Sequence, residues 1–136
     1  MQTTIFGYKW TVAQNDFESI RNLPKASSVY ILTVRKNGRK RRQIVYIGYS
    51  RHLVGRIRSH ETLRLFRRNL VGYTIEILHR DFGKFVNRGW ERKLIWHYKP
   101  PFNGTWEKSR HSERHLFWRK CGVDKVVHVI NPYKNK

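Results

Sequence analysis

Between Val86 and Tyr98, Trp90, Leu94, Ile95 and Tyr98 recur at helical spacing, and an acid falls among them. With Trp90 at zero, Leu94 lies at about 40°, Tyr98 at about 80°, Glu91 at about 100° and Ile95 at about 140° around the helix. Arg92, Lys93 and Trp96 take the other side, so solubility does not explain Glu91. A carboxylate turned toward a core is costly unless it is paired or holds a cation. Two readings stay open: an ion pair with one of the 29 lysines and arginines, or a metal ligand.

Two further groups could do chemistry. Leu53, Val54 and Ile57 make an apolar stripe on a segment, 51–62, that reads as one helix. On it Arg56 and His60 lie about 40° apart at one edge of the stripe, able to reach the same point in space. Tyr30 and Tyr46 sit in two runs rich in β-branched and aromatic residues, Ser28 to Val34 and Ile44 to Tyr49, separated by the turn signal Lys36-Asn37-Gly38. A turn centred near Gly38 sets Tyr30 opposite Tyr46. Each of these residues also has an ordinary role open to it, as solvated arginine, core-edge histidine or packing tyrosine.

The elements that must position these groups can be read around them. Asp16 to Pro24 reads as a short helix, Leu63 to Leu70 as a second basic helical stretch, Tyr73 to Leu78 as a third strand, and Asp81-Phe82-Gly83 as a turn. Pro100 and Pro101 stop the Val86 to Tyr98 helix. Beyond Asn103, the pattern predicts a helix over Ser109 to Lys120, a strand over Lys125 to Ile130 and a frayed tail from Asn131 to Lys136.

With 136 residues there is room for one domain. Lysine and arginine number 29 against 9 acids, a formal charge of +20, yet hydrophobic residues reach 39% and aromatics 14%. A disordered polycation lacks that apolar content, so a folded domain with a self-repelling surface is expected, and a polyanion such as nucleic acid is the first candidate partner. No apolar run approaches the ~18 residues of a membrane span, which argues against a membrane role. The single Cys121 and the absence of a secretory pattern in the first residues predict an intracellular location. A zinc module built from Cys121 with His111, His115 or His128 lacks the paired cysteines such sites use.

Ser28-Val29-Tyr30, then Val45-Tyr46-Ile47-Gly48, Arg56, His60, Glu91 and Asn103 resemble, in type and order, the GIY-YIG nuclease superfamily. The resemblance spans 28–103, with 1–27 and 104–136 as extensions, the latter a candidate for DNA or subunit contacts; Ser28 departs from the usual glycine. It implies an α+β fold with a small three-stranded antiparallel sheet flanked by helices, and a divalent-metal-dependent DNA endonuclease of compact, restriction or phage type. It also implies roles. Glu91 would hold Mg²⁺, with Mn²⁺ able to substitute, and Arg56 would grip the scissile phosphate. Tyr30 would take the water's proton, its pKa lowered by Arg56 or the metal, while Tyr46 orients water or phosphate. His60 would assist by hydrogen bonding and Asn103 would anchor the geometry. Arg39, Lys40, Arg41 and Arg42 in the hairpin loop, with Arg64, Arg67 and Arg68, would contact the DNA backbone, and a homodimer would present one site to each strand. A non-catalytic nucleic-acid-binding protein and a homing or repair nuclease are the alternatives.

Overall fold

A computed structural model describes residues 1–103 and 108–123. The order is β1 (Gln2–Ile5), β2 (Tyr8–Gln14), α1 (Phe17–Arg21), β3 (Ser28–Lys36), β4 (Gln43–Ser50), α2 (Leu53–Arg58), α3 (Glu61–Asn69), β5 (Tyr73–Arg80), α4 (Asn87–Tyr98) and α5 (Lys108–Lys120). The strands form one sheet in the order β1-β2-β5-β3-β4, every neighbouring pair antiparallel. The fold is therefore α+β, as expected, but with five strands instead of three. The strand expected at 125–130 lies outside the described residues.

The two additional strands come from the stretch expected to be an extension. Phe6 and Gly7 both have positive φ, 55° and 79°, which joins β1 to β2 by a two-residue turn whose twist suits a hairpin. A phenylalanine is an unusual occupant of that conformation. Its ring packs edge-on to His97 at 4.8 Å, so contact with α4 helps hold it there. From Tyr8 onward the burial alternates, with Trp10 and Val12 turned inward, and β2 then pairs with β5 from Thr11 to Gln14.

The first seven residues of β3, Ser28 to Val34, are buried, because helices cover both faces of the sheet. On one face Tyr30, Leu32 and Val34 pack with Leu53, Val54 and Ile57 of α2 and with Leu63 and Phe66 of α3. Phe66 also meets the rings of Phe102, Phe117 and Trp118. On the other face Val29, Ile31, Ile47 and Leu78 pack against Trp10 and against Leu94 of α4.

Two local expectations are corrected. The helix predicted over 51–62 is broken: Ser59 caps α2, its hydroxyl donating to the Gly55 carbonyl at 3.0 Å, and His60 is extended (φ −74°, ψ 116°) as the residue before α3. Glu61, an acid in the first turn of α3, suits a new helix start there. Tyr30 lies opposite Gly48, not Tyr46, which faces Leu32. The connection is longer than a turn at Gly38 requires, and the register shifts again at Leu32/Thr33, leaving Val45 without a partner on β3. A displacement of two residues preserves the face, so the two phenols still share one.

Candidate active site

Gly48 explains how the tyrosines stack. A Cβ there would overlap Cζ and the hydroxyl of Tyr30, so the missing side chain is the space in which that ring lies. Tyr30 and Tyr46 stack with centroids 5.9 Å apart and planes at 24°, and His60 stands edge-on to both, at 5.7 and 4.6 Å. His60 Nε2 is 3.1 Å from the Tyr30 hydroxyl. Its break from α2 does not remove it from the group; the extended residue between two helices carries the ring to the phenols.

Electrostatics set the charge state of that contact. Burial pushes the Tyr30 phenol well above its ordinary value, Tyr46 adds to the shift, and Arg56 opposes it only in part. Burial also pushes His60 down to about 3, with the charges of Arg56 and Arg67 acting the same way. Near neutral pH a protonated phenol therefore meets an uncharged imidazole at Nε2. His60 Nδ1 is buried and has no hydrogen-bond partner among the described residues. The expected lowering of the Tyr30 pKa is thus corrected: in this fold desolvation outweighs Arg56.

Arg56 completes the group from α2. Burial pulls its guanidinium down, and the neighbouring oxygens of Tyr30 and Tyr46 more than reverse this. Among the described residues no carboxylate forms an ion pair with it; the salt bridges are Arg21 to Glu18 and Arg35 and Arg42 to Glu76. A half-buried cation thus faces two phenols.

Asn103 braces the site from the sheet edge. Its Oδ1 accepts from the Ile47 amide at 2.9 Å and its Nδ2 donates to the Ile47 carbonyl at 2.8 Å, while the Phe102 amide donates to Val45 at 3.0 Å. The amide does what a neighbouring strand would do for β4, fixing the backbone between Tyr46 and Gly48.

Glu91 lies elsewhere. It is on the packed side of α4, as its helical phase predicts, with Trp96 on the exposed side at 77%. Because α4 covers the opposite face of the sheet, Glu91 is linked to the tyrosine face through β4, where the Tyr49 backbone amide hydrogen-bonds its carboxylate. Burial raises its pKa, and Arg88, Arg92 and that amide offset the rise only in part. No basic side chain closes an ion pair with it among the described residues, so the structural-pair reading does not hold there. A carboxylate with an uncompensated charge suits a hard cation that retains most of its waters. Among the described residues no three His, Cys, Asp or Glu side chains gather into a larger ligand set.

Three residues that the pattern did not single out prove informative. Asn87 is fully buried at the start of α4; its Oδ1 accepts from the Phe82 amide at 2.7 Å and its Nδ2 donates to Ser27 at 3.0 Å and Asp81 at 2.9 Å. That ties the turn before Glu91 to the residue before β3. Tyr49 has its phenol lowered, chiefly by a hydrogen bond with Ser27 and further by Arg51 and Arg88. Glu76 is the most buried acid of the described chain at 1% exposure. It accepts from Arg42 Nε at 2.9 Å, Arg35 Nε at 3.1 Å and Gln14 at 3.2 Å, and the two arginines hold its pKa low against the opposing effect of burial. Its signal was an acid flanked by Ile75 and Ile77 in the third strand.

The expected DNA-contacting residues divide accordingly. Arg39, Lys40 and Arg41 are exposed on the β3–β4 connection, and Arg64 and Arg68 on the outer side of α3. Arg42 is engaged with Glu76 and, through its terminal nitrogen, with Thr3 at 3.3 Å. Arg67 donates twice to Asn15, at 3.1 and 2.8 Å. Among the described residues no helix is long and apolar enough to cross a membrane.

No family model matches the chain, and neither a curated protein nor a solved structure matches it.

Proposed function

We propose that this chain is a divalent-metal-dependent DNA endonuclease of GIY-YIG type. The observation that carries the reading is Arg56: a half-buried guanidinium without a carboxylate partner among the described residues, beside Tyr30, Tyr46 and His60 on a face braced by Asn103. Such an unpaired guanidinium suits a phosphate, whose two oxygens match the planar donor fork. Arg56 grips the scissile phosphate and stabilises the charge that grows on it. Tyr46, half-buried and next to Arg56, orients the attacking water, whose proton leaves to solvent. Tyr30 and His60, joined by their hydrogen bond, keep Tyr46 in place from the buried side. Glu91 is the residue that would hold Mg²⁺ or Mn²⁺, which when bound supplies positive charge for the departing 3′ oxygen. With one small site per chain, cutting both strands of a duplex calls for two copies.

The test is incubation of purified protein with supercoiled plasmid and Mg²⁺, beside Arg56→Lys, which keeps the charge and loses the fork. Wild type should nick or linearise the plasmid, and the variant should be slower by about 10²–10³-fold with its Tm unchanged. Full activity in Arg56→Lys removes the phosphate role. No product from wild type, with DNA still bound, assigns the chain to the non-catalytic binding class.

A further inference from the structure

At the end of the sheet away from Tyr30, a groove of about 720 Å³ runs between the β3–β4 connection and the end of α5. Lys36, Arg39, Arg41 and Lys120 line it together with Tyr73 and Tyr98, and none of its lining residues is acidic. Arg35 and Arg42 also reach its wall, but their charge is answered from behind by Glu76. Among the described residues, the groove cations that no carboxylate pairs are therefore the exposed ones, Lys36, Arg39, Arg41 and Lys120. They come from two separate elements, so the groove is an assembled surface and not merely a charged loop.

We propose that this groove is a second DNA-backbone site, which holds the strand about six nucleotides from the phosphate bound at Arg56. This rests on the endonuclease reading. The groove has the volume of about two dozen waters, which suits a length of chain better than a lone anion. Cations interleaved with tyrosines suit a phosphodiester backbone carrying bases, and the net charge of +20 favours a polyanion. The spacing follows from β3: from Tyr30 to Lys36 the strand advances about 20 Å at ~3.3 Å per residue, and a DNA strand places a phosphate every ~3.4 Å.

The experiment uses the full chain without divalent metal, so that no cleavage intervenes. The dissociation constant for a duplex of about 30 base pairs is measured by fluorescence anisotropy at increasing salt, for wild type and for Arg39→Gln/Arg41→Gln/Lys120→Gln. Each lost phosphate contact removes about 0.9 from the logarithmic salt slope, so the triple variant should lose about 2.7 while its Tm stays unchanged. An unchanged slope overturns the groove; if wild type also cleaves plasmid, the endonuclease reading survives that failure. Absence of DNA binding by wild type removes both. Poly-glutamate displacing DNA as well as a DNA competitor of equal charge would assign the groove to an acidic protein segment, and the proposal would be wrong.

Discussion

The two ends of the β3–β4 ribbon treat charge in opposite ways. At the connecting end, Arg35 and Arg42 turn inward and close on Glu76, itself 1% exposed, with Gln14 taking up a further carboxylate position. At the other end, Arg56 faces phenols and Glu91 receives a backbone amide, and among the described residues neither closes an ion pair. Charges that satisfy each other inside a fold leave nothing for a ligand. Charges that remain partly desolvated and unanswered can be completed by one; on the proposed function these are a phosphate at Arg56 and a cation at Glu91. An acid on an apolar face is thus not by itself a sign of function; what distinguishes Glu91 from Glu76 is that, among the described residues, no basic side chain closes an ion pair with it.

The largest expected effect tests the paired end. Glu76→Gln leaves Arg35 and Arg42 without their counter-charge and should cost about 3–5 kcal/mol, read as a lowered denaturant midpoint. Glu91→Gln removes a carboxylate whose ionised form is disfavoured by burial, so without metal at neutral pH it should melt no lower than wild type. A Glu91→Gln protein as unstable as Glu76→Gln would break the comparison, because Glu91 would then be a structural partner as well.

Next in size is Gly48→Ala. The new methyl meets the Tyr30 ring inside a β-strand, where the backbone has little freedom, and the overlap should cost about 1–3 kcal/mol. It should also displace Tyr30 from His60, so on the proposed function the loss of cleavage would exceed what the unfolded fraction explains. Wild-type activity with wild-type stability would show that Tyr30 can leave its place without consequence.

A further effect concerns acid. His60 is uncharged in the fold, its pKa lowered from 6.5 to about 3, so its contribution to stability is complete above pH 6.5 and is lost as pH falls toward 3. His79, also lowered by burial, works in the same direction. Glu76, whose pKa is lowered too, contributes above the unfolded glutamate value of about 4.3 and loses that contribution only below it. Thermal melts should therefore decline in two stages, the tyrosine end yielding before the Glu76 end. His60→Gln should flatten the first stage and leave the second; a first stage unaltered by that substitution would mean that the imidazole is not held neutral by the fold.

Local pattern alone determined a good deal. The apolar periodicities of 17–23, 63–70 and 86–98 and the β-branched runs at 28–34 and 44–49 correspond to α1, α3, α4, β3 and β4, and Glu91 has the helical phase its neighbours implied. These are matters of 3.6- and 2-residue repeats, which neighbouring residues carry by themselves. Tertiary structure decided the rest. Phe6 takes a left-handed turn position beside α4, so the β1–β2 hairpin had no Asn-Gly signal to announce it. His60 leaves the helix predicted for it and meets Tyr30 and Tyr46, contacts that no helical wheel contains. The stacking of those tyrosines depends on Gly48 and on a register two residues from the one a simple turn would set. Pairing and desolvation decided which acid was matched and kept the Tyr30 phenol protonated. Both depend on which residues distant in the chain share a buried volume, and spacing along the chain does not contain that information.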